Sequence, residues 1–180
     1  MTAKRSMGWL PDYPDFRDYT EETQEVMRLV DPDGIGKNAN RTIPGAKRRG
    51  TKTTADKLPS SVDLRPWCSP VEDQGMLGSC TANAGVGIIE YYERKAFGRH
   101  TDASRLFLYK VTRNLMKAKG DTGAYLRTTI GAMVLFGVCP EDYWPYTDSE
   151  TAFDKEPNAF TYAFAANFQT IKYFRHDPPN

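Results

Sequence analysis

Apolar positions recur at helical spacing most clearly between Ala82 and Phe97. Val86, Ile89 and Ala96 fall on one stripe, and Ile88 and Tyr92 widen it. Glu90, Glu93, Arg94 and Lys95 cover the other side, and Gly98 supplies a stop. This predicts a long amphipathic helix. A second helix is predicted over Ser104 to Lys119, capped by Asp102 or Ser104 and stopped by Gly120. A third runs from about Tyr125 to Phe136, with Gly137 as its stop, after which Pro140 and Pro145 impose extended chain. Ala159 to Phe174 is aromatic and loosely alternating, which predicts one or two strands. Upstream, Val26, Leu29 and Val30 share a face and predict a short helix over Glu21 to Val30, followed by a turn at Asp31-Pro32-Asp33-Gly34. The aromatic run from Trp9 to Tyr19 reads as an extended strip. From Gly36 to Lys57 there is no periodicity. Arg41, Lys47-Arg48-Arg49 and Lys52 make this a basic linker. The division expected is therefore an extension with linker over 1–57, a helical part over 58–158, and a strand-like tail over 159–180.

The chain has 180 residues, enough for one domain or one domain with a tail. Its 24 basic and 23 acidic residues leave a net charge of +1, which argues against a nucleic-acid partner. The longest apolar runs fall far short of a membrane span. Met1 to Met7 is basic, but no apolar segment follows. With Met1 as the start, no Sec-type signal is read, and a cytoplasmic or non-classically exported protein is expected. Three cysteines, Cys68, Cys80 and Cys139, cannot all pair within one chain, so this is not a disulfide-stapled scaffold. No motif asks for a metal or a cofactor.

Chemistry concentrates in the run from Asp73 to Ala84. Gln74 precedes Cys80 by a few residues, with Gly75 and Gly78 between them. Cys80 falls in the first turn of the predicted long helix, where the macrodipole and free N–H groups favour a thiolate. The glycines allow close approach of a substrate to the backbone. The Gln74 side-chain N–H and the Cys80 backbone N–H are two donors for an oxyanion, and one such donor is commonly worth about 3 kcal/mol of barrier. Cys68 and Cys139 have no activating neighbours and read as small buried apolar residues, although a disulfide between them is also permitted.

These residues resemble papain-family cysteine peptidases. Leu58-Pro59-Ser60-Ser61-Val62-Asp63-Leu64-Arg65 is similar to the opening of the family's mature domain. Pro70-Val71-Glu72-Asp73-Gln74-Gly75 and Gly78-Ser79-Cys80 are similar to the segments around its nucleophile. Asp121-Thr122-Gly123-Ala124-Tyr125 resembles the family's Gly-Gly-Tyr cleft segment. Phe136-Gly137-Val138, Glu141 and Tyr143-Trp144-Pro145-Tyr146 follow in the expected order. The resemblance covers residues 58–146. It implies an α+β papain-like fold, present mostly as the helical lobe, with the β-rich lobe partial or missing. It implies Cys80 as nucleophile, Gln74 as oxyanion donor, and Gly78, Ser79, Gly123, Ala124 and Tyr125 as substrate-binding residues on a peptide or protein substrate. Leu77 and Asp121-Thr122 replace the two halves of a disulfide the family usually has, Thr81 replaces an aromatic residue, and Ala124 replaces a glycine.

The family places its histidine and asparagine about 130–150 residues beyond the cysteine, past Asn180. His100 reads as an exposed loop residue, and His176 lies in a terminal run without a supporting apolar strand. The base is therefore expected from a C-terminal β-rich lobe, in the same polypeptide or as a second chain. Three explanations stand open: an incomplete chain, one chain of a processed enzyme, or a degenerate relative that binds peptides without cutting them. Another thiol acyl-transferase or amidase is a further alternative. The resemblance also implies that residues 1–57 either lie along the cleft as a pro-segment, with Lys47-Arg48-Arg49 as a release point, or pack elsewhere on the surface. The strip from Gly8 to Asp18 resembles the N-terminal extension of bacterial members.

Overall fold

A computed structural model describes residues 7–16, 18–20, 22–30, 60–170 and 172–176. The predicted turn at 31–34, the basic linker, and Leu58 and Pro59 lie outside the described residues. The chain forms two compact units. One comprises residues 1–13 with 64–172, and the other 14–63 with 173–180.

The larger unit is built on three helices. α2 spans Cys80–Phe97 and ends as expected, with Gly98 in the left-handed conformation and its N–H on Arg94 O. α3 spans Arg105–Leu115, with the Ser104 hydroxyl accepting the Phe107 N–H. It stops short of the predicted Lys119 because the chain turns at Lys117, whose φ is 56°. α4 spans Leu126–Leu135. Ala82 and Val86 of α2, Phe107, Leu108 and Val111 of α3, and Ala132 and Met133 of α4 form one apolar core. Burying each Val, Leu, Met or Phe side chain among them contributes about 1.5–3 kcal/mol. Two short strands pair in parallel: β1, Trp9–Leu10, and β2, Ala124–Tyr125, with Trp9 opposite Ala124. The extended strip predicted around Trp9 is thus partly a strand.

The strand expectation for 159–174 is corrected. Ala159–Ala165 is a helix, α5, continued by a 3-10 turn over Ala166–Phe168. The Asn158 side chain accepts the Thr161 N–H at 2.8 Å and starts it. Phe160, Phe164 and Phe168 recur every fourth residue, with ring centroids 5.8 Å apart at each step, and Tyr143 packs 4.6 Å from Phe164. The aromatic spacing is helical, not alternating.

In the smaller unit, α1 spans Gln24–Val30 and buries Val26. The Thr20 N–H donates to the Thr23 hydroxyl just ahead of it, and Arg175 N–H donates to Tyr19 O at 2.6 Å. No helix among the described residues is long and apolar enough to cross a membrane.

Candidate active site

Cys80 is the first residue of α2 and is partly exposed, with its thiol free. The first N–H groups of a helix have no intrahelical acceptor, so its own N–H is a donor pointing out of the helix end. The preceding loop is folded against the body of the unit by a hydroxyl relay. Tyr146 Oη lies 2.6 Å from Ser79 Oγ and donates to Gln74 O at 2.8 Å. Asn83 Nδ2 adds bonds to both Ser79 oxygens, and Ser79 is fully buried. Burial raises the Tyr146 pKa above the ordinary phenol value, so the hydroxyl stays protonated. Gln74 Nε2 donates to Leu77 O at 2.8 Å.

The second wall is the turn before β2. Gly123 has φ 72°, a conformation that L side chains rarely adopt. Its N–H donates to Tyr109 Oη at 3.0 Å. Tyr109 donates in turn to Asp121 Oδ1 at 2.5 Å, and both Asp121 oxygens accept the Gly78 N–H at 2.9 and 3.1 Å. Burial, then the Asp121 carboxylate, pushes the Tyr109 hydroxyl well above its usual pKa. The Gly78–Cys80 turn and the Gly123–Tyr125 segment, read separately from the sequence, are thereby brought together.

Residues 7–10 of the chain lie between these walls. Gly8 O accepts the Ala124 N–H at 2.7 Å, and Ala124 is fully buried. Arg127 N–H donates to Asp12 Oδ2 at 2.9 Å, and its guanidinium reaches Tyr13 O at 2.7 Å, so the strip is held beyond the strand as well. Sequence reasoning missed Tyr109 and Asp121 as parts of this site. Asp121 was visible only as the occupant of a lost cysteine position.

The other cysteines separate. Cys139 is fully buried, and burial pushes its thiol up to about 12. Cys68 is exposed rather than buried, its Sγ 3.6 Å from Leu64 O, and the two are not bonded to each other. His100 is half-buried rather than exposed. It follows the C-terminal end of the 18-residue α2, so a helix length of about 27 Å separates it from Cys80. Glu90, His100 and Asp102 bring ligand atoms within 4.8 Å of one another there, a donor set able to hold a divalent cation, though Glu90 already accepts the Ala103 N–H at 3.1 Å. A cavity of about 250 Å³, lined in part by Ile89, Glu93, Thr101 and Gln169, is also away from Cys80. His176 is exposed and belongs to the smaller unit.

Comparison with known proteins finds cysteine proteases. The chain matches xylellain, a cysteine protease from Xylella fastidiosa, with a TM-score of 0.67 and 28% identity over 97% of this chain and 61% of that one. It matches procathepsin L2 from the larval midgut of Tenebrio molitor with a TM-score of 0.54 and 21% identity over 79% of this chain and 39% of that one. In sequence it is 39% identical over 107 residues to an uncharacterized peptidase C1-like protein of Acanthamoeba polyphaga mimivirus, covering 58% of this chain and 34% of that protein. No family model matches. The chain has the papain-like cysteine-protease fold, in its mostly helical part. It spans about a third of the length of the curated relative it matches.

Proposed function

We propose that this chain is the nucleophile-bearing part of a cysteine peptidase. The observation that carries the reading is a partly exposed, free thiol at the first position of a long helix, in a loop-to-helix run that also carries Gln74. In the complete enzyme the Cys80 thiolate attacks a peptide carbonyl. The C–S bond forms as the carbonyl electrons move to oxygen, and the Cys80 N–H and the Gln74 side-chain amide receive that charge. The substrate backbone pairs along Gly123, Ala124 and Tyr125, against Gly78 and Ser79. Ser79 contributes through its main chain, since its hydroxyl is committed to Tyr146 and Asn83.

A histidine must protonate the departing amine. His100 is too far from Cys80 along α2 to serve. The base and its orienting asparagine are assigned to a β-rich lobe outside this chain, supplied in the same polypeptide or as a second chain. Ile88 and Tyr92 remain exposed on α2, which supports a further layer packing on that helix.

Residues 1–57 act as a pro-segment in this reading, since Gly8 occupies the backbone position a substrate would take at Ala124. A second reading, a peptide-binding relative that does not cut, is favoured by the same occupied strand position.

The deciding experiment joins this chain to the downstream coding sequence and assays it on a panel of fluorogenic peptides. Hydrolysis lost in Cys80→Ala is expected. An equally active Cys80→Ala protein refutes the peptidase reading, and peptide binding without hydrolysis favours the second one.

A further inference from the structure

Three glycines meet where the N-terminal strip passes the nucleophile turn. A Cβ built on Gly8 would stand 1.7 Å from Gly78 O and 2.2 Å from its carbonyl carbon. These are backbone atoms, which cannot swing aside. A Cβ on Gly123 would stand 2.3 Å from Gly8 O, and one on Gly78 would stand 3.0 Å from Gly8 Cα. A side chain at any of the three positions closes the slot. Gly78 precedes Cys80 by two residues, so the slot's Gly78 wall lies at most about 7 Å from the Cys80 backbone.

The walls are braced against widening. Gly78 N–H is held by both Asp121 oxygens, Asp121 Oδ1 receives the Tyr109 hydroxyl, and that hydroxyl receives the Gly123 N–H. Tyr109 is fully buried on α3, inside the main core. Moving the walls apart by the depth of a methyl group stretches this bridge, in which the Gly123–Tyr109 bond is buried and the Asp121 bonds are part-buried. The Asp121–Gly78 links are charge-assisted, which makes them the stiffer ones.

We propose that the gap between Gly78 and Gly123 is a glycine-selective peptide subsite, with Asp121 and Tyr109 as the positioning residues that fix its width. The ligand class is a peptide segment that pairs with Ala124 and Tyr125 as residues 8–10 do and carries glycine where Gly8 lies. The inference rests on the reading of this face as peptide-binding and adds to it the residue the face selects.

The test uses the full chain with Gly8→Ala, which ejects its own strip, and Trp9→Ala as a second variant that weakens the strip while leaving the slot intact. Thermal unfolding confirms that each is folded. Iodoacetamide labelling of Cys80, followed by peptide mapping, is then measured against two synthetic hexapeptides, Met-Gly-Trp-Leu-Pro-Asp and Met-Ala-Trp-Leu-Pro-Asp. Faster labelling than in the unmodified chain is expected, with the glycine peptide restoring protection at a concentration at least about tenfold lower than the alanine peptide. Adding Asp121→Asn or Tyr109→Phe should shrink that ratio toward one. Equal protection by the two peptides, or protection by neither, overturns the subsite, and an unchanged ratio in both bridge variants overturns the positioning role. Hydrolysis is not measured, so failure here leaves the peptidase reading to its own assay, and a chain that never cuts leaves this result standing.

Discussion

Asp121 accepts the Gly78 N–H with both carboxylate oxygens, at 2.9 and 3.1 Å, across 43 residues of chain. The same carboxylate receives the buried Tyr109 hydroxyl. One side chain thus ties the turn before Cys80 to the turn before β2. It stands where the resemblance expects one half of a disulfide, so a hydrogen-bonded carboxylate performs the tethering that a covalent bond would otherwise give. Replacing Asp121 with Ala leaves a buried hydroxyl and a backbone N–H without acceptors. The expected cost is about 2–3 kcal/mol in denaturant unfolding, and Asn, which keeps one acceptor, should lose less. An Ala variant as stable as the parent would show that the tether carries no energy.

Tyr146 tests the opposite side of the same loop. Its hydroxyl joins Ser79 Oγ to Gln74 O, and Arg105 lies 4.4 Å above its ring. Tyr146→Phe keeps the ring and its contact with Arg105 but removes both hydroxyl bonds. About 1 kcal/mol of stability should be lost. In the complete enzyme kcat should fall more than KM changes, because Gln74 loses the anchor on its own carbonyl. A pure KM effect would mean that Tyr146 shapes binding and not the oxyanion position.

The three thiols should label in a fixed order. Cys139 is fully buried with its pKa pushed up to about 12, so it should resist alkylation until the protein unfolds. Cys68 is exposed and Cys80 half-buried at a helix N-terminus. The nucleophile reading expects Cys80 to label first in the complete enzyme despite its lesser exposure, with Cys68 next and Cys139 last. Iodoacetamide rates followed by peptide mapping check the order. Cys68 labelling as fast as Cys80 would count against the nucleophile.

The parts of this fold that were legible in the sequence are those fixed by local pattern. α2 is bounded by Gly98 as expected, because a 3.6-residue stripe and a left-handed stop are both local signals. α3 was read four residues too long, since no residue type between Met116 and Lys119 breaks a helix, and the turn is marked instead by the left-handed Lys117 and the bonds from Ala118 N–H to Arg113 O and Arg113 Nη1 to Gly120 O. α5 was read as strand because Phe160, Tyr162, Phe164 and Phe168 fit alternation on paper, and the Asn158 cap that decides otherwise was not weighed. Within the site, Gln74 and Cys80 were singled out by type and spacing, and Gly123 through the family resemblance. Tyr109 was not, because an interior tyrosine on a buried helix carries no local signal, and only the fold brings it to Asp121.

Arg113 is fully buried on α3, its ring neighbours being Tyr109 at 4.3 Å and Phe153 at 5.1 Å. It donates to Asp154 Oδ1 at 2.7 Å and to Gly120 O, and Lys110 reaches the same carboxylate at 2.9 Å. Partial burial raises the Asp154 pKa, but the bonds from Lys110, the Gly120 N–H and Arg113 outweigh it and bring the carboxyl down to about 2. The folded-state value lies below the unfolded one, so the ionised carboxylate stabilises the fold above the ordinary Asp range. That contribution is lost as pH falls from about 4 towards 2. Acid unfolding should therefore steepen in that window, and Asp154→Asn should flatten it while lowering stability at pH 7, where buried Arg113 loses its carboxylate and Lys110 keeps Glu156 at 3.7 Å. With Asp154 a third exposed, a loss of about 2 kcal/mol is expected rather than the full cost of breaking a buried pair. Urea midpoints of parent and variant measured from pH 7 down to pH 2 give both quantities, and parallel curves would show that Arg113 is held by its carbonyl and ring contacts alone.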